Sequence, residues 1–263
     1  MGLTFQEQRS DRLSQFASGF TNNSFIENIA AASSLFVLGD TQTQYRYHAL
    51  FGRINLNHQG KYILNLTGRR DGSSRFGSDK KFANFGAVGA AWIFSKESVV
   101  KEGLPFLSFG KLRGSYGTSG NDQIGDYQYL DTYSFGNTPY QNIVGIRPTR
   151  LFNPDFSWES NEKLELALEL GILQDRIRLS SSYYQNKSSN QLVGIPLPGT
   201  TGFSFLNANL NATIENKGWE FELYTVNLKN DNFEWSTAFN ITIAKNKLLK
   251  FPYLEGSTYA NQL

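Results

Sequence analysis

Apolar and polar residues alternate with a period of two along much of the chain, and this pattern predicts β-strands. The clearest case is the run at residues 163–172, where one face is entirely aliphatic: Leu164, Leu166, Leu168, Leu170 and Ile172. The opposite face carries Lys163, Glu165 and Glu169. On a helix the leucines would spread around the cylinder, so the strict alternation outweighs the helix propensity of Leu, Glu and Lys.

The stretch from residue 45 to 94 contains three further runs of about ten or more residues, whereas an ordinary strand has about five or six. In the middle run, a face with Tyr62, Leu64 and Leu66 alternates with a face that becomes polar and then charged. Long two-sided strands are typical of a transmembrane β-barrel wall. A soluble β-sandwich, which would act as a binding or adhesin module, also alternates, because it buries one face of each sheet. The alternation alone leaves both architectures open.

The connections between the predicted strands alternate in length. Short joins fall at residues 58–60, 174–176 and 229–232, with a connector at 95–108 on the same side, and long joins fall at 71–81, 119–157 and 187–211. Outer-membrane barrels have short turns at one end and long loops at the other. Several aromatic residues near strand ends fit interfacial girdles: Tyr62, Trp92, Trp219, Phe233 and Trp235. Together these features favour the barrel.

Three segments without a sustained period predict irregular structure. Residues 10–40 are small and polar, and we expect a surface loop with a helical turn near residues 23–33. In the connector at 95–108, Ser95 is expected to cap a short helix through Val100, since Pro105 forbids its continuation. The long loop at 119–157 predicts one short strand at Tyr127–Tyr133.

Composition excludes several classes of protein. The chain contains no cysteine, so disulfides and thiolate metal sites are absent. A net charge of +2 is too small to indicate a nucleic-acid partner. No run of about eighteen apolar residues predicts a membrane-spanning helix. Hydrophobic residues make up 40% and aromatic residues 14% of the chain, values that suit a wall with half of its side chains facing water.

The two ends predict that the chain is a piece of a larger protein. The first residues after Met1 provide neither the basic nor the apolar region of a secretory signal. The last residues form a polar tail, STYANQL, rather than a strand ending in an aromatic residue. We expect a fragment, a truncated gene product or an excised piece, divided into a strand tip with an external loop at 1–43 and a partial barrel at 44–263.

Candidate chemistry is sparse, and we expect no catalytic residue, metal site or cofactor. His48 and His58 have no third ligand at metal spacing and are interpreted as wall or turn residues. Glu165 and Glu169 would lie about 13 Å apart on a strand, too far for paired acid–base work, and fit a solvated inner face. The charged loop containing Asp71, Arg75 and residues 79–81 is interpreted as a self-satisfied external turn.

Aromatic residues in or beside the longest loop are the candidate binding residues: Tyr127, Tyr129, Tyr133 and Trp158, with Tyr140 nearby. Aromatic rings stack on sugar faces and also pack against protein partners. An equally good interpretation is that these rings pack among themselves within the loop. The sequence leaves both possibilities open.

Five segments in series carry a family resemblance: GRINLNHQGKYILNLTGRRDGSSRFG, AAWIFSKE, LSFGKLRGSYGTSGN, DRIRLSSSYYQNKSSNQL and NKGWEFEL. Together they resemble the SusC/RagA family of TonB-dependent outer-membrane transporters, in order from about Tyr45 to Asn246. The most specific pieces are DGSSRFG at 71–77 and KLRGSYGTSGN at 111–121. Residues 1–44 match more loosely.

The resemblance implies an all-β fold: an antiparallel up-and-down transmembrane β-barrel wall of roughly eight to ten strands, part of a larger barrel. It further implies a nutrient importer in the outer membrane of a Gram-negative cell, in contact with outer-membrane lipid. Family members enclose a plug, are driven by TonB, pair with a SusD-like surface lipoprotein, and import oligosaccharides or peptides. We therefore expect that the protein is not an enzyme and has no nucleic-acid partner. Since the chain lacks the plug and the closing strand of the family, we expect that it does not transport alone.

Overall fold

The computed structural model describes residues 1–136, 140–252 and 254–256, and nine of its strands form one continuous antiparallel sheet. In their order across the sheet these strands are β1 (Gly2–Ser18), β2 (Ser34–His58), β3 (Tyr62–Ser73), β4 (Phe82–Trp92), β5 (Leu107–Asn121), β8 (Glu159–Ile172), β9 (Ile177–Pro196), β10 (Phe205–Lys229) and β11 (Glu234–Lys250). A separate hairpin pairs β6 (Thr132–Phe135) with β7 (Ile146–Arg150). The all-β prediction and the predicted number of strands are confirmed.

The aliphatic residues of β8 share one face of the sheet with residues of the two neighbouring strands. Leu166 of β8 pairs with Gly114 of β5 and with Tyr183 of β9, and Leu168 pairs with Leu112 and Ser181. Leu166 is 50% exposed and Leu168 is 37% exposed. A buried sandwich core would leave these side chains almost inaccessible. The exposed aliphatic face therefore rules out the β-sandwich and matches the outer surface of a barrel wall.

The two kinds of connection emerge at opposite ends of the sheet. Short turns at residues 59–61, 173–176 and 230–233 lie at one end with the connector 93–106, and longer loops at 19–33, 74–81, 122–158 and 197–204 lie at the other. We call these the turn end and the loop end. The predicted alternation of short and long joins is confirmed, since each strand pairs with its neighbour in an up-and-down order.

Two predicted loops are wrong in extent because the strands continue beyond the alternating segments. β1 runs to Ser18 and β2 begins at Ser34, so only residues 19–33 of the predicted loop at 10–40 are irregular, with 3₁₀ turns at Asn23–Phe25 and Ile29–Ala31. β9 and β10 extend through most of the predicted loop at 187–211, which leaves residues 197–204. Towards the loop end the regular alternation that marks a strand is lost: residues 10–18 are mostly polar, and β2 has four consecutive apolar residues directly after its first residue, at 35–38. Backbone pairing nevertheless persists there.

Two local predictions are corrected by the structure. Ser95 lies buried inside a 3₁₀ turn, Phe94–Lys96, and the short helix α1 occupies Ser98–Gly103 with Glu97 at its N-cap position. The 3₁₀ turn, with its own backbone hydrogen bonds, displaces the N-cap of the helix by two residues, from Ser95 to Glu97. The predicted strand at Tyr127–Tyr133 is replaced by β6, which pairs with a segment that showed no alternation. The position of β6 is set by its pairing with β7 in a hairpin, and the local residue pattern does not encode that pairing.

β2 crosses the predicted boundary between residues 43 and 44 without a break. The division into 1–43 and 44–263 stays a prediction. The polar tail STYANQL lies outside the described residues. In the part of the chain that the structure describes, no helix has both the length and the apolar character needed to cross a membrane.

Glu97 fastens the connector to the turn end of the sheet. Its carboxylate accepts hydrogen bonds from Lys61 Nζ at 2.9 Å, Tyr62 Oη at 2.8 Å and Trp92 Nε1 at 3.3 Å. These donors, with Lys61 contributing most, lower the pKa of Glu97 from 4.5 to about 2. The carboxylate thus holds the connector, the β2–β3 turn and the aromatic end of β4 together.

We expect this contact to weaken in acid. Because the pKa of Glu97 is lower in the folded state, its stabilisation is complete above pH 4.5 and is lost as the pH falls towards about 2. In the full-length protein, Glu97→Gln should lower the temperature of heat-induced unfolding at pH 7 and flatten the decline of that temperature below pH 4.5, measured as electrophoretic heat-modifiability. Glu102→Gln is the control within α1. Identical pH profiles for the wild type and Glu97→Gln would contradict this assignment.

Candidate functional site

A small aromatic core lies at the loop end, between the β3–β4 loop and the base of the long β5–β8 loop. Phe76 is fully buried, Phe156 is 2% exposed and Trp158 is 9% exposed. The ring of Phe76 lies 5.1 Å from that of Trp158 and 6.1 Å from that of Phe156, measured between centroids. The indole Nε1 of Trp158 donates to the carbonyl of Lys81 at 3.0 Å. We call Phe76, Phe156 and Trp158 the rim core.

Arg75, next to the rim core, links three segments of the chain. Its guanidinium lies 4.1 Å above the ring of Tyr45, pairs with Asp126 at 2.9 Å and donates to the Asp122 carbonyl at 3.0 Å. Tyr45 in turn donates to the Asp122 carboxylate at 2.8 Å. Tyr45 lies on the part of β2 that extends past the last residue of β3. Burial raises the pKa of Tyr45 above its ordinary value, and the hydrogen bond to Asp122 raises that pKa further. The neutral phenol therefore stays a donor.

A cavity of about 420 Å³ opens beneath this cluster on the polar face of the sheet. Its lining combines aromatic rings, hydroxyl groups and charges: Tyr45, Tyr47, Arg69, Asp71, Thr118 and Trp158. Arg69 pairs with Asp71 at 2.5 Å, and Asp71 is only 6% exposed. The cavity therefore offers aromatic faces for apolar contact and polar groups for hydrogen bonding, the usual combination in a ligand site.

The polar face carries a charge network further towards the turn end. Arg113 on β5 reaches Glu169 at 2.8 Å and Glu165 at 2.5 Å, both on β8. Lys111 adds a contact to Glu169 at 3.2 Å. β8 thus has the predicted polar face. Its two carboxylates, Glu165 and Glu169, share the guanidinium of Arg113 and do not share a proton as an acid–base pair would. These four side chains are one-quarter to two-fifths exposed, as expected of a wall that faces water.

A second cavity, of about 650 Å³, continues this polar face across β9, β10 and β11. It is lined by Arg113 and Glu169 together with Arg178, Glu222, Tyr224 and Asn240. The guanidinium of Arg178 lies 4.3 Å from the ring centre of Tyr224. The inner wall therefore presents both positive and negative side chains in one cavity. Among the described residues, no group of three His, Cys, Asp or Glu side chains could hold a metal ion.

The structure separates the four aromatic candidate residues into two groups. Trp158 belongs to the rim core, and Tyr129 packs against it. The hydroxyl of Tyr127 accepts from the Gln44 amide at 2.9 Å, which fixes the loop to β2. Tyr133 lies on β6 and is 58% exposed, with its hydroxyl donating to Asp131. Ligand contact by these four residues stays a prediction. Trp158, Tyr129 and Tyr127 also hold the loop in place.

The interpretation of the DGSSRFG turn as self-satisfied is only partly right. Asp71 pairs with the neighbouring Arg69, as a local turn would. Arg75, however, takes its partners from the long loop, more than 45 residues away in the sequence: Asp122 at |i−j| = 47 and Asp126 at |i−j| = 51. Tyr45, Asp122 and Asp126 were not identified as site residues by sequence reasoning. The only signal was the specificity of the motif containing Arg75.

His48 and His58 have structural surroundings. The imidazole of His48 meets the ring of Phe5 edge-on at 5.3 Å, and that of His58 stacks on Tyr62 at 6.4 Å. Both contacts fit the interpretation of wall and turn residues.

An antiparallel sheet with one exposed aliphatic face, one charged face, and short and long connections at opposite ends defines the class of transmembrane β-barrel walls. The family model described as TonB dependent receptor-like, beta-barrel matches residues 1–262. The chain therefore belongs to the TonB-dependent receptor family, an outer-membrane barrel family.

The named relatives agree with this assignment and with the SusC/RagA resemblance. TonB-dependent receptor P26 of Formosa agariphila is 34% identical over 252 residues, or 94% of this chain and 25% of the relative. TonB-dependent receptor SusC of Bacteroides thetaiotaomicron is 30% identical over 219 residues, or 80% of this chain and 21% of the relative. The chain thus spans about a quarter of the length of the curated relatives that it matches.

The solved structures confirm the fold. The RagAB peptide importer in its open-open state superposes with a TM-score of 0.84 at 23% identity, covering 95% of this chain and 27% of that chain. The closed-closed state of the same importer gives a TM-score of 0.82 over 94% of this chain. At this level of identity the similarity establishes the architecture of the wall.

Proposed function

We propose that this chain forms an arc of the wall of a TonB-dependent importer in the outer membrane of a Gram-negative cell. The observation that carries the proposal is the nine-strand sheet with an aliphatic face outward and the Arg113 network on the opposite face. Such a wall separates hydrocarbon from a water-filled interior. The family match over residues 1–262 supports an import function rather than a catalytic one.

The proposed cargo is a nutrient such as an oligosaccharide or a peptide. The cavity below Arg75 combines Tyr45, Tyr47 and Trp158 with Arg69 and Asp71, and these groups suit both sugar hydroxyls and peptide amides. A structurally similar protein is named the RagAB peptide importer, and that name supports the peptide class. The loop-end aromatic candidates, Tyr127, Tyr129, Tyr133 and Trp158, are proposed to shape the entrance.

The proposed partners are a SusD-like surface lipoprotein at the loop end and the TonB complex, acting through a plug region outside this chain. The two-component name RagAB supports the first partner. The hairpin β6–β7 presents apolar side chains at the loop end, with Phe135 76% and Ile146 66% exposed. A co-purification of the full-length importer with a SusD-like lipoprotein tests the pairing, and its loss on deletion of residues 132–150 is expected.

The isolated chain is not expected to close or to transport. Within the described residues, β1 pairs only with β2, and β11 pairs only with β10. Each of these two edge strands therefore leaves one row of backbone groups without a partner. In hydrocarbon each unsatisfied group costs several kcal/mol. Expressed alone and added to liposomes, the 263-residue chain should release no entrapped oligosaccharide and show no heat-modifiable band, whereas the full-length protein should show the band. Release by the isolated chain would contradict the proposal that it is an arc.

A further inference from the structure

A groove of about 650 Å³ runs along the aliphatic face of the sheet near the turn end. Its lining is almost wholly apolar and includes Leu64, Ala90, Trp92, Leu112, Gly114 and Leu166. Since these side chains share the face of Leu168, the groove lies outside the barrel and not in its interior. We call it the outer groove.

The depth of the outer groove follows from the register of four strands. Leu64 of β3 pairs with Ala90 of β4, Ala90 with Gly114 of β5, and Gly114 with Leu166 of β8. Two small residues thus lie side by side between two leucines. A Cβ atom on Gly114 would lie 2.9 Å from Leu166 Cδ2. The absence of a side chain at Gly114 therefore leaves room for Leu166 to lie against the floor of the outer groove. A concave apolar strip of this kind fits one hydrocarbon chain.

The turn end of the outer groove carries a cation. Lys96 Nζ donates to the carbonyl of Gly60 at 2.9 Å, and Gly60 lies between His58 and Tyr62, which both line the groove. Lys96 is exposed, and an ammonium has three N–H donors, so two remain available. Within the described structure, no carboxylate lies within ion-pair distance of Lys96.

The neighbouring charges leave a net positive site. The carboxylate of Glu97 is paired with Lys61 at 2.9 Å and also accepts from Tyr62 and Trp92. Lys61 and Glu97 therefore cancel, and Lys96 contributes the remaining positive charge. Tyr62 and Trp92 direct polar atoms to this level and apolar rings towards the groove, as side chains at a membrane interface do. A cation at headgroup depth complements the phosphate of a lipid.

We propose that the outer groove binds one acyl chain of a glycerophospholipid whose phosphate accepts a hydrogen bond from Lys96 Nζ. The phospholipid occupies the leaflet at the turn end, with its phosphate beside Gly60 and its chain on Ala90 and Gly114. The site depends on the barrel fold and not on the identity of the imported nutrient.

The test measures retained lipid on the full-length protein by native mass spectrometry, after exchange into a delipidating detergent and titration with dioleoyl phosphatidylglycerol. One bound phospholipid is expected for the wild type. Lys96→Gln should weaken binding about tenfold, the usual effect of losing one charged hydrogen bond. Lys101→Gln removes the same charge from α1, which does not hydrogen-bond to the 59–61 turn in the described structure, and should leave binding unchanged. Equal retention by the two variants would overturn the role of Lys96.

Two further arms separate a built site from ordinary contact with surrounding lipid. Dioleoylglycerol has the same chains without the phosphate and should not survive the detergent exchange. Ala90→Leu fills the floor and should lower phosphatidylglycerol retention, whereas Val88→Leu on the same face, outside the groove, should not. Heat-modifiability shows that each variant is folded. Equal retention of both lipids, or no effect of Ala90→Leu in a folded protein, would show that the groove has no specific occupant.

Discussion

Phe76→Ala is expected to release the long β5–β8 loop from the rim of the wall. Phe76 is fully buried and touches both other members of the rim core. Truncating a buried Phe to Ala costs about 3–5 kcal/mol, because the apolar contact is lost and a cavity remains. The loss falls on the contacts that hold residues 122–158 against the β3–β4 loop, rather than on the hydrogen-bonded sheet.

Limited proteolysis of the full-length protein in detergent measures this effect. When a loop opens and closes faster than it is cleaved, the cleavage rate follows the population of the open form. A loss of about 3 kcal/mol therefore raises cleavage within residues 122–158 by roughly a hundredfold. Phe25→Ala is the matched control, since Phe25 lies in another loop at the same end and is 49% exposed. Cleavage of Phe76→Ala within twofold of the wild type would show that the rim core does not hold the loop.

The same variant relates the rim to import. Phe76 makes no contact with the outer groove and does not line the cavity below Arg75. Two steps are tested for a requirement that the long loop is held in place: entry of the proposed cargo and docking of the proposed surface lipoprotein. Where a step has this requirement, Phe76→Ala impairs that step, while the barrel stays heat-modifiable. Phe76→Leu keeps most of the buried volume and should be intermediate.

The period of two predicts structure well where the two faces of a strand meet different solvents. In β3 and β8 the aliphatic and charged positions were assigned to the correct faces, because hydrocarbon and water sort them. The extension of β9 past Asn186 was missed because polar residues such as Ser188 and Ser189 occupy both faces at its start. In β10 the alternation of Leu206, Ala208 and Leu210 with Asn207, Asn209 and Asn211 was interpreted as part of an Asn-rich loop. The side chain of Asn209 bonds to the long loop, where it donates to the Ser157 carbonyl at 2.7 Å. Such pairing is decided by tertiary contacts.

The candidate site was less predictable than the fold. The loop position and aromatic character of Tyr127 and Trp158 could be recognised in the sequence, but their anchoring role could not. The cluster of Tyr45, Arg75 and Asp126 joins residues from three separated segments, and no local pattern reports such a meeting. The outer groove likewise arises from register, because Ala90 and Gly114 become neighbours only when β4 and β5 pair.

Leu168→Arg is expected to destabilise the membrane-embedded wall by about 2–4 kcal/mol, the cost of an arginine at the lipid-facing midplane of a barrel. Leu168 lies on the aliphatic face of β8 between Leu112 and Ser181. No carboxylate occupies that row of the sheet, so the guanidinium would enter hydrocarbon without a partner. The measurement is the free energy of urea unfolding of the full-length protein refolded into liposomes.

The matched control places the same side chain on the other face at nearly the same depth. Ser180 on β9 pairs with Glu169 of β8 and with Glu222 of β10, so Ser180→Arg would meet two carboxylates on the water-filled side. Its unfolding free energy should stay within about 0.5 kcal/mol of the wild type. The difference between the two variants measures which face meets lipid. If Leu168→Arg were nearly neutral, or if Ser180→Arg cost as much, then the aliphatic face of β8 would not face hydrocarbon, and the assignment of this chain as a barrel wall would fail with it.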